Sequence, residues 1–470
     1  MNGLGWPERS AAVLIRDVIV EGRPVDVALS GAAIDAVGPS LPRRAGEEVL
    51  LGAGGELLPG LHDHHVHLRA VAAAADSVAA GPPEVSDRAG LAAALAQAAR
   101  RVAPGAWVRA VGYDESVAGH LDRTEVDSMV PDVAVRIQHR SGILWVLNSE
   151  ALRLSGAEAS SRPGIERDSD GRATGRLWRE DRWLRDHAPA PRLDLPEVGR
   201  QAAACGVTGF TDATPLSGAG ELEDLLNLAA SSMPQRVWAM AAPGIALGAE
   251  VAPLAVKLLL DDDRLPSPEE MAGEIARSHG LGLPVAIHCV TRLQAVYALA
   301  ALEAAGARPG DRLEHAAVLG ADLLPRVRGM GLTVVTQPAF VHSRGDRYLE
   351  DVEPDDLGDL WRLASLIRAG VASAAGSDSP YGSLDPWTAV EAASRRLTSS
   401  GLPLGLGEAT TRRRALELYL GSAAAPARPR RVVAGQPADL CLLEAPLEEA
   451  GPLPGVAATV VGGRVVHRAG

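Results

Sequence analysis

Apolar and polar residues follow three different rhythms along this chain. Residues 11 to about 57, beginning "AAVLIRDVIVEGRPVDVALSGAAIDAVG", are short β-branched runs punctuated by Gly and Pro, a pattern that predicts strands of a small sheet. From Gly435 to the end, "GQPADLCLLEAPLEEAGPLPGVAATVVGGRVVHRAG" has the same texture. Two strand-rich ends around a long middle predict one small composite β-sandwich, 1–57 with 426–470, whose two parts meet in space. The middle, 58–425, alternates short apolar runs ("VTGFTDAT", "LAVKLLL", "LPVAIHCV", "RLEHAAVL", "LTVVTQP", "VASAAGSDSP") with Ala/Leu/Arg segments of helical period such as "SPEEMAGEIARSHG". Repeated strand and helix predict parallel βα units, hence a barrel or a doubly wound sheet. Polar residues at the C-terminal ends of the strands, where barrel enzymes place chemistry, favour a (β/α)8 TIM-like barrel of α/β class. Between "ELLPGLHDHHVHL" and "CGVTGFTDAT" the rhythm breaks for far longer than one βα connection needs. This predicts an insertion at about 82–200, lying over the barrel mouth and carrying substrate contacts.

Composition narrows the function classes. A formal net charge of -13, with no basic run beyond "TRRR" at 411–414, speaks against nucleic acid as a partner and leaves small molecules. Cys205, Cys289 and Cys441 lie far apart and are odd in number, which suggests neither a disulfide framework nor a zinc knuckle and fits a reducing cytoplasm. No apolar run approaches the ~20 residues of a membrane span, and the N-terminus lacks the basic start and apolar core of a leader. The expectation is a soluble cytoplasmic protein.

The candidate chemistry begins in "LHDHHVHL", which offers His62/His64 and His65/His67 as alternative His-x-His pairs. Alternate strand residues share a face, so Asp63, His65 and His67 are expected to point one way and His62 and His64 the other, with one set facing the axis. Two imidazoles side by side suit a transition metal. His288, His315 and Asp378 each end a later strand, where a metal would find further ligands. Lys257 is the single lysine among the 46 basic residues, and it lies in an apolar run. A buried amine whose pKa falls from ~10.4 can react with carbon dioxide to give a carbamate, a carboxylate on a long stem; arginine cannot.

These residues resemble the amidohydrolase superfamily of metal-dependent barrel hydrolases. "LPGLHDHHVHL" is similar to its Pro-Gly-x-x-Asp-x-His-x-His motif, and Lys257, His288, His315 and Asp378 match its later ligands in order. The insertion, with "GYDES", "SGILWVLNSEAL" and "DGRATGRL", looks like the branch called amidohydrolase family 3, which includes N-substituted formamide deformylases. Two departures, Ile143 after Gly142 where relatives read Gly-His and a short "KLLLDDD" where they read Lys-x-x-x-Asp-Gly, bear on the substrate.

The resemblance implies a site for two divalent ions, zinc being expected. His65, His67 and Asp378 would hold one, His288 and His315 the other, and carbamylated Lys257 would bridge them. Asp378 would serve as general base and acid in cleaving a C–N bond of an amide, N-formyl compound or cyclic amide, with Asp63 orienting a ligand from behind. Tyr113, Trp145, Asn148, Gln337, His342, Arg344 and Tyr381 are the expected substrate contacts. A homodimer is common among such relatives. The competing readings are a mononuclear hydrolase or deaminase of the same superfamily, against the latter of which His288 lacks a following acid, and a non-catalytic barrel scaffold.

Overall fold

In a computed structural model the chain is described for residues 12–103, 105–245 and 252–470. It divides into two compact units, one formed by the chain up to Leu68 with Leu195–Gly470, the other by Arg69–Asp194.

In the first unit eight parallel strands stand side by side: β1 (Leu61–Val66), β2 (Val207–Leu216), β3 (Arg236–Ala241), β4 (Val256–Leu259), β5 (Val285–Cys289), β6 (Arg312–His315), β7 (Thr333–Thr336) and β8 (Ala372–Ala375). Beyond β8 the chain returns to β1: Asp378 N donates to His65 O at 2.7 Å and His67 N to Ser379 O at 2.9 Å. The predicted barrel is therefore present, closed at its upper rim by the segments that carry the candidate ligands.

Strand periodicity explains how the site residues are aimed. Val256, Leu258 and Leu260 pack with Met271 and Ile275 of the helix Pro268–Gly280 and with Ala295, Ala298, Leu299 and Leu302 of the helix Arg292–Ala305. Lys257 and Leu259 must then point to the opposite face, the barrel axis. Register extends that face: Lys257 pairs with Ala286, Leu259 with His288, and His288 with Glu314. The outer helices are set by local signals. Ser267 and Glu270 form a capping box with Pro268 in the first turn, and Thr291 caps the next helix.

One expectation changes. His62 and His64 also lie on the axial face: the His62 ring is 5.4 Å from that of Trp238, and Trp238 alternates with Met240, which clusters with Ala286. His65 reaches the same interior, where its Nδ1 contacts Glu314. The reason is a break in register between β1 and β2, where Asp63 pairs with Phe210 but Val66 pairs with Asp212. The extra residue on β1 is a bulge, and strict alternation does not carry across it.

The chain ends form a seven-stranded mixed sheet, in the order Arg464–Arg468, Val456–Val461, Leu440–Leu443, Glu48–Pro59, Val13–Val20, Arg23–Ser30, Ala33–Gly38. It folds on itself: Val13, Ile15 and Leu29 share one core with Leu440, Leu442 and Val460. Ile34 N donates to Gln436 O and Ala438 N to Ala32 O, each at 2.9 Å, so the two terminal parts do meet.

The second unit has a six-stranded mixed sheet, with separate apolar clusters around Val108, Ile137 and Leu91 and around Leu147, Leu152 and Leu177.

Candidate metal centre

Among the described residues, one group of three donors converges as a cation site requires: His65, His67 and Asp378, whose ligand atoms lie within 4.8 Å of one another. Asp378 Oδ1 is 3.5 Å from His65 Nε2 and 3.3 Å from His67 Nε2. The other ring nitrogens are spoken for. His65 Nδ1–H donates to the buried Glu314 carboxylate, and His67 Nδ1 pairs with Thr214 Oγ1 at 3.0 Å. Both partners orient their rings, and the carboxylate, which can only accept, fixes the His65 tautomer with a lone pair on Nε2.

His315 and His288 extend the cluster. The His315 ring lies 4.7 Å from that of His65 and 4.5 Å from that of His288. His315 Nδ1–H donates to Gln337 Oε1 at 2.8 Å. Both His315 and Asp378 have left-handed backbone, with φ of 67° and 52°. The chain turns sharply at each of these residues as it leaves its strand, in a conformation that His and Asp enter more readily than most residues.

Lys257 lies beneath this group, 2 % exposed, its Nζ buried without a hydrogen-bond partner. Burial lowers its pKa to about 8, against the attraction of Glu314 and with the help of Arg312. Burial, with Lys257 contributing, also lowers His65 to about 4, and burial lowers His315 to about 3. His288 is pushed down by burial and by His315. All three are therefore neutral imidazoles at pH 7, the form that binds metal. Burial alone would raise Asp378, but its contact with His67, and the neighbouring His65 and His315, hold it well below the usual carboxylate range. Neutral imidazoles around an ionised carboxylate, with an orphaned amine alongside, are a donor set that fits divalent cations.

Two supporting residues escaped the sequence reading. Glu314, fully buried, binds His65 Nδ1 and Arg312 Nε, while Arg312 Nη2 donates to His64 O at 2.8 Å. The signal was "RLEH", opposite charges two apart on one face of a short strand. Asp63 Oδ1 accepts from His65 N at 3.1 Å and Ser377 N at 2.9 Å, tying β1 to the segment that follows β8.

The expected substrate contacts are scattered. Gln337 is buried and holds His315. Tyr381 presents its ring edge-on to His67, 5.8 Å between centroids. Arg344 donates to Tyr381 O at 2.9 Å and lies over the Phe340 ring, and exposed His342 pairs with Leu397 O. Tyr113, Trp145 and Asn148 belong to the second unit, where Tyr113 donates to Gly119 O and Trp145 to Asp181. Asn148 accepts from Val135 N and Ala151 N and donates to Val130 O and Val133 O. A substrate contact at Asn148 thus has no free polar atom to rest on.

A parallel barrel with two imidazoles and a carboxylate converging at the C-terminal ends of its strands is the arrangement of a metal-dependent barrel hydrolase. The chain belongs to the amidohydrolase family, whose family-3 model matches residues 53–467. It is 27% identical over 466 residues to the N-substituted formamide deformylase of Arthrobacter pascens, covering 84% of each chain. Its fold is similar to those of metal-dependent hydrolases from Pyrococcus furiosus (TM-score 0.71, 20% identity, covering 93% of this chain and 99% of that one) and Pyrococcus horikoshii OT3 (0.72, 20%, 93% and 98%). No helix among the described residues is long and apolar enough to cross a membrane.

Proposed function

We propose that this protein hydrolyses the C–N bond of small amides, N-substituted formamides being the favoured class, with two divalent ions, zinc being expected, held at the barrel mouth. The observation that carries the reading is the convergence of His65, His67 and Asp378 over a buried, unpartnered Lys257. The name of the Arthrobacter relative supports the substrate class.

His65, His67 and Asp378 would hold one ion and His288 and His315 the other. Divalent ions in such a site supply Lewis acidity and lower the pKa of water towards neutrality. Lys257 can serve both ions once carbamylated: the neutral amine adds to carbon dioxide, forming an N–C bond and releasing one proton. Asp378, ionised and at the centre of the cluster, accepts a proton from the attacking water and delivers it to the departing nitrogen. Glu314 and Gln337 keep His65 and His315 in one tautomer while this happens.

The test is hydrolysis of N-substituted formamides by metal-loaded protein, with ion content measured in parallel. Near two equivalents per chain, with loss of most turnover in Asp378→Asn at unchanged metal content, supports the proposal. The convergence of a single group of three donors favours a second reading, a one-ion hydrolase; full activity at one equivalent establishes it. Wild-type rates in Asp378→Asn remove Asp378 from the chemistry.

A further inference from the structure

Leu259 is out of place by the rules that govern its neighbours. Leu258 and Leu260, on either side, are 4% and 3% exposed in the core between strand and helices, whereas Leu259 is 55% exposed. Single exposed leucines are common on protein surfaces and need no explanation there. This one is not on the outer surface. It alternates with Lys257, so it points towards the axis, and it pairs in register with His288 at the C-terminal ends of β4 and β5. It is therefore an apolar side chain open to solvent at the rim, one strand position above the buried amine and beside a candidate ligand.

Of the carboxylates that follow it, Asp261 accepts from Asp263 N at 3.4 Å within its own loop. Asp262 accepts from Thr291 Oγ1 at 3.1 Å, tying the β4 loop to the cap of the helix Arg292–Ala305 that follows β5. Past β8, Tyr381 packs with Val290 around the Phe340 and Trp361 cluster while its ring faces His67. The ligand group thus has apolar surface on its β4 side and again on its β8 side.

We infer that Leu259 forms one wall of a subsite for an apolar group on the amide nitrogen, and so sets a preference for bulky, uncharged N-substituents over small ones. The inference rests on the formamide hydrolysis proposed above. Leu259 touches neither the scissile atoms nor the metal ligands' hydrogen bonds, so its effect belongs to substrate discrimination alone. A hydrophobic contact of this size separates substrates by about 10-fold or more.

The experiment compares kcat/KM for N-benzylformamide and N-methylformamide in the metal-loaded wild type and in Leu259→Asp, Leu259→Ala and Leu259→Phe, with metal content measured for each. The expected result is a fall of about 10-fold or more for N-benzylformamide in Leu259→Asp, a smaller fall in Leu259→Ala, and retention in Leu259→Phe. N-methylformamide should change less than about 3-fold throughout, at constant metal content. Equal changes for both substrates, or none for either, would overturn the subsite while leaving the hydrolytic function standing. No turnover of either substrate by fully metal-loaded wild type would overturn the function, and the subsite with it.

Discussion

Replacing Lys257 with methionine should make the metal-free protein more stable while abolishing its activity. The amine is 2 % exposed and has no hydrogen-bond partner, so in the absence of metal it contributes little but a charge held out of water. Burial lowers its pKa from 10.5 to about 8. At ~1.36 kcal/mol per pH unit, the gap amounts to about 3 kcal/mol of destabilisation while the group is charged in both states. The sign follows from proton counting. Below pH 8 folded and unfolded chains both carry the proton and the full penalty applies. Between 8 and 10.5 the unfolded chain binds more protons than the folded one, so the free energy of unfolding rises with pH. Methionine has similar length and no charge. Lys257→Met should therefore be about 3 kcal/mol more stable than wild type at pH 7, and that difference should shrink by about the same amount on going to pH 10.5. Urea unfolding of chelator-treated protein in carbon dioxide-free buffer, at pH 7 and pH 10.5, measures both quantities. A variant less stable than wild type at pH 7, or a difference that does not vary with pH, refutes the reasoning: Lys257 would then be a paired structural cation.

The remaining predictions concern groups behind the ligands and in the second unit. Glu314→Gln leaves Arg312 buried without its carboxylate and His65 without its charged acceptor. Metal affinity, measured by chelator competition, should fall about 10- to 100-fold, and urea unfolding should show a loss of about 3–5 kcal/mol; unchanged affinity would remove Glu314 from the site. Gln337→Leu should cost about 1–3 kcal/mol by orphaning His315 Nδ1–H, and should slow turnover of metal-loaded enzyme; wild-type turnover would show that His315 needs no such partner. Asn148→Ala strips a helix cap and leaves Val135 N unpaired, so limited proteolysis should cut Arg69–Asp194 faster, with metal content unchanged. Equal protease resistance would contradict the structural role.

What could be read from the sequence divides along a physical line. Faces within an unbulged strand were legible, because there the period of two is a property of the chain itself: Lys257 between Val256 and Leu258 had to point away from the helices that those residues meet. Strand ends were legible for the same reason, and with them His288, His315 and Asp378. Across strands the pattern is silent. The bulge that turns His65 to the axis exists only because Asp63 and Val66 meet Phe210 and Asp212 in a shifted register. Glu314 is 249 residues from the His65 ring it holds, and nothing near either residue announces the pair. Gln337 illustrates the consequence: a polar residue one step past its strand looks like a substrate contact until His315 is found 2.8 Å away using its oxygen. Candidate ligands can thus be placed from local chemistry, because a metal demands particular side chains at particular strand ends. The groups that fix which nitrogen faces the metal are chosen by neighbours across the barrel, and they become visible only when the barrel is closed.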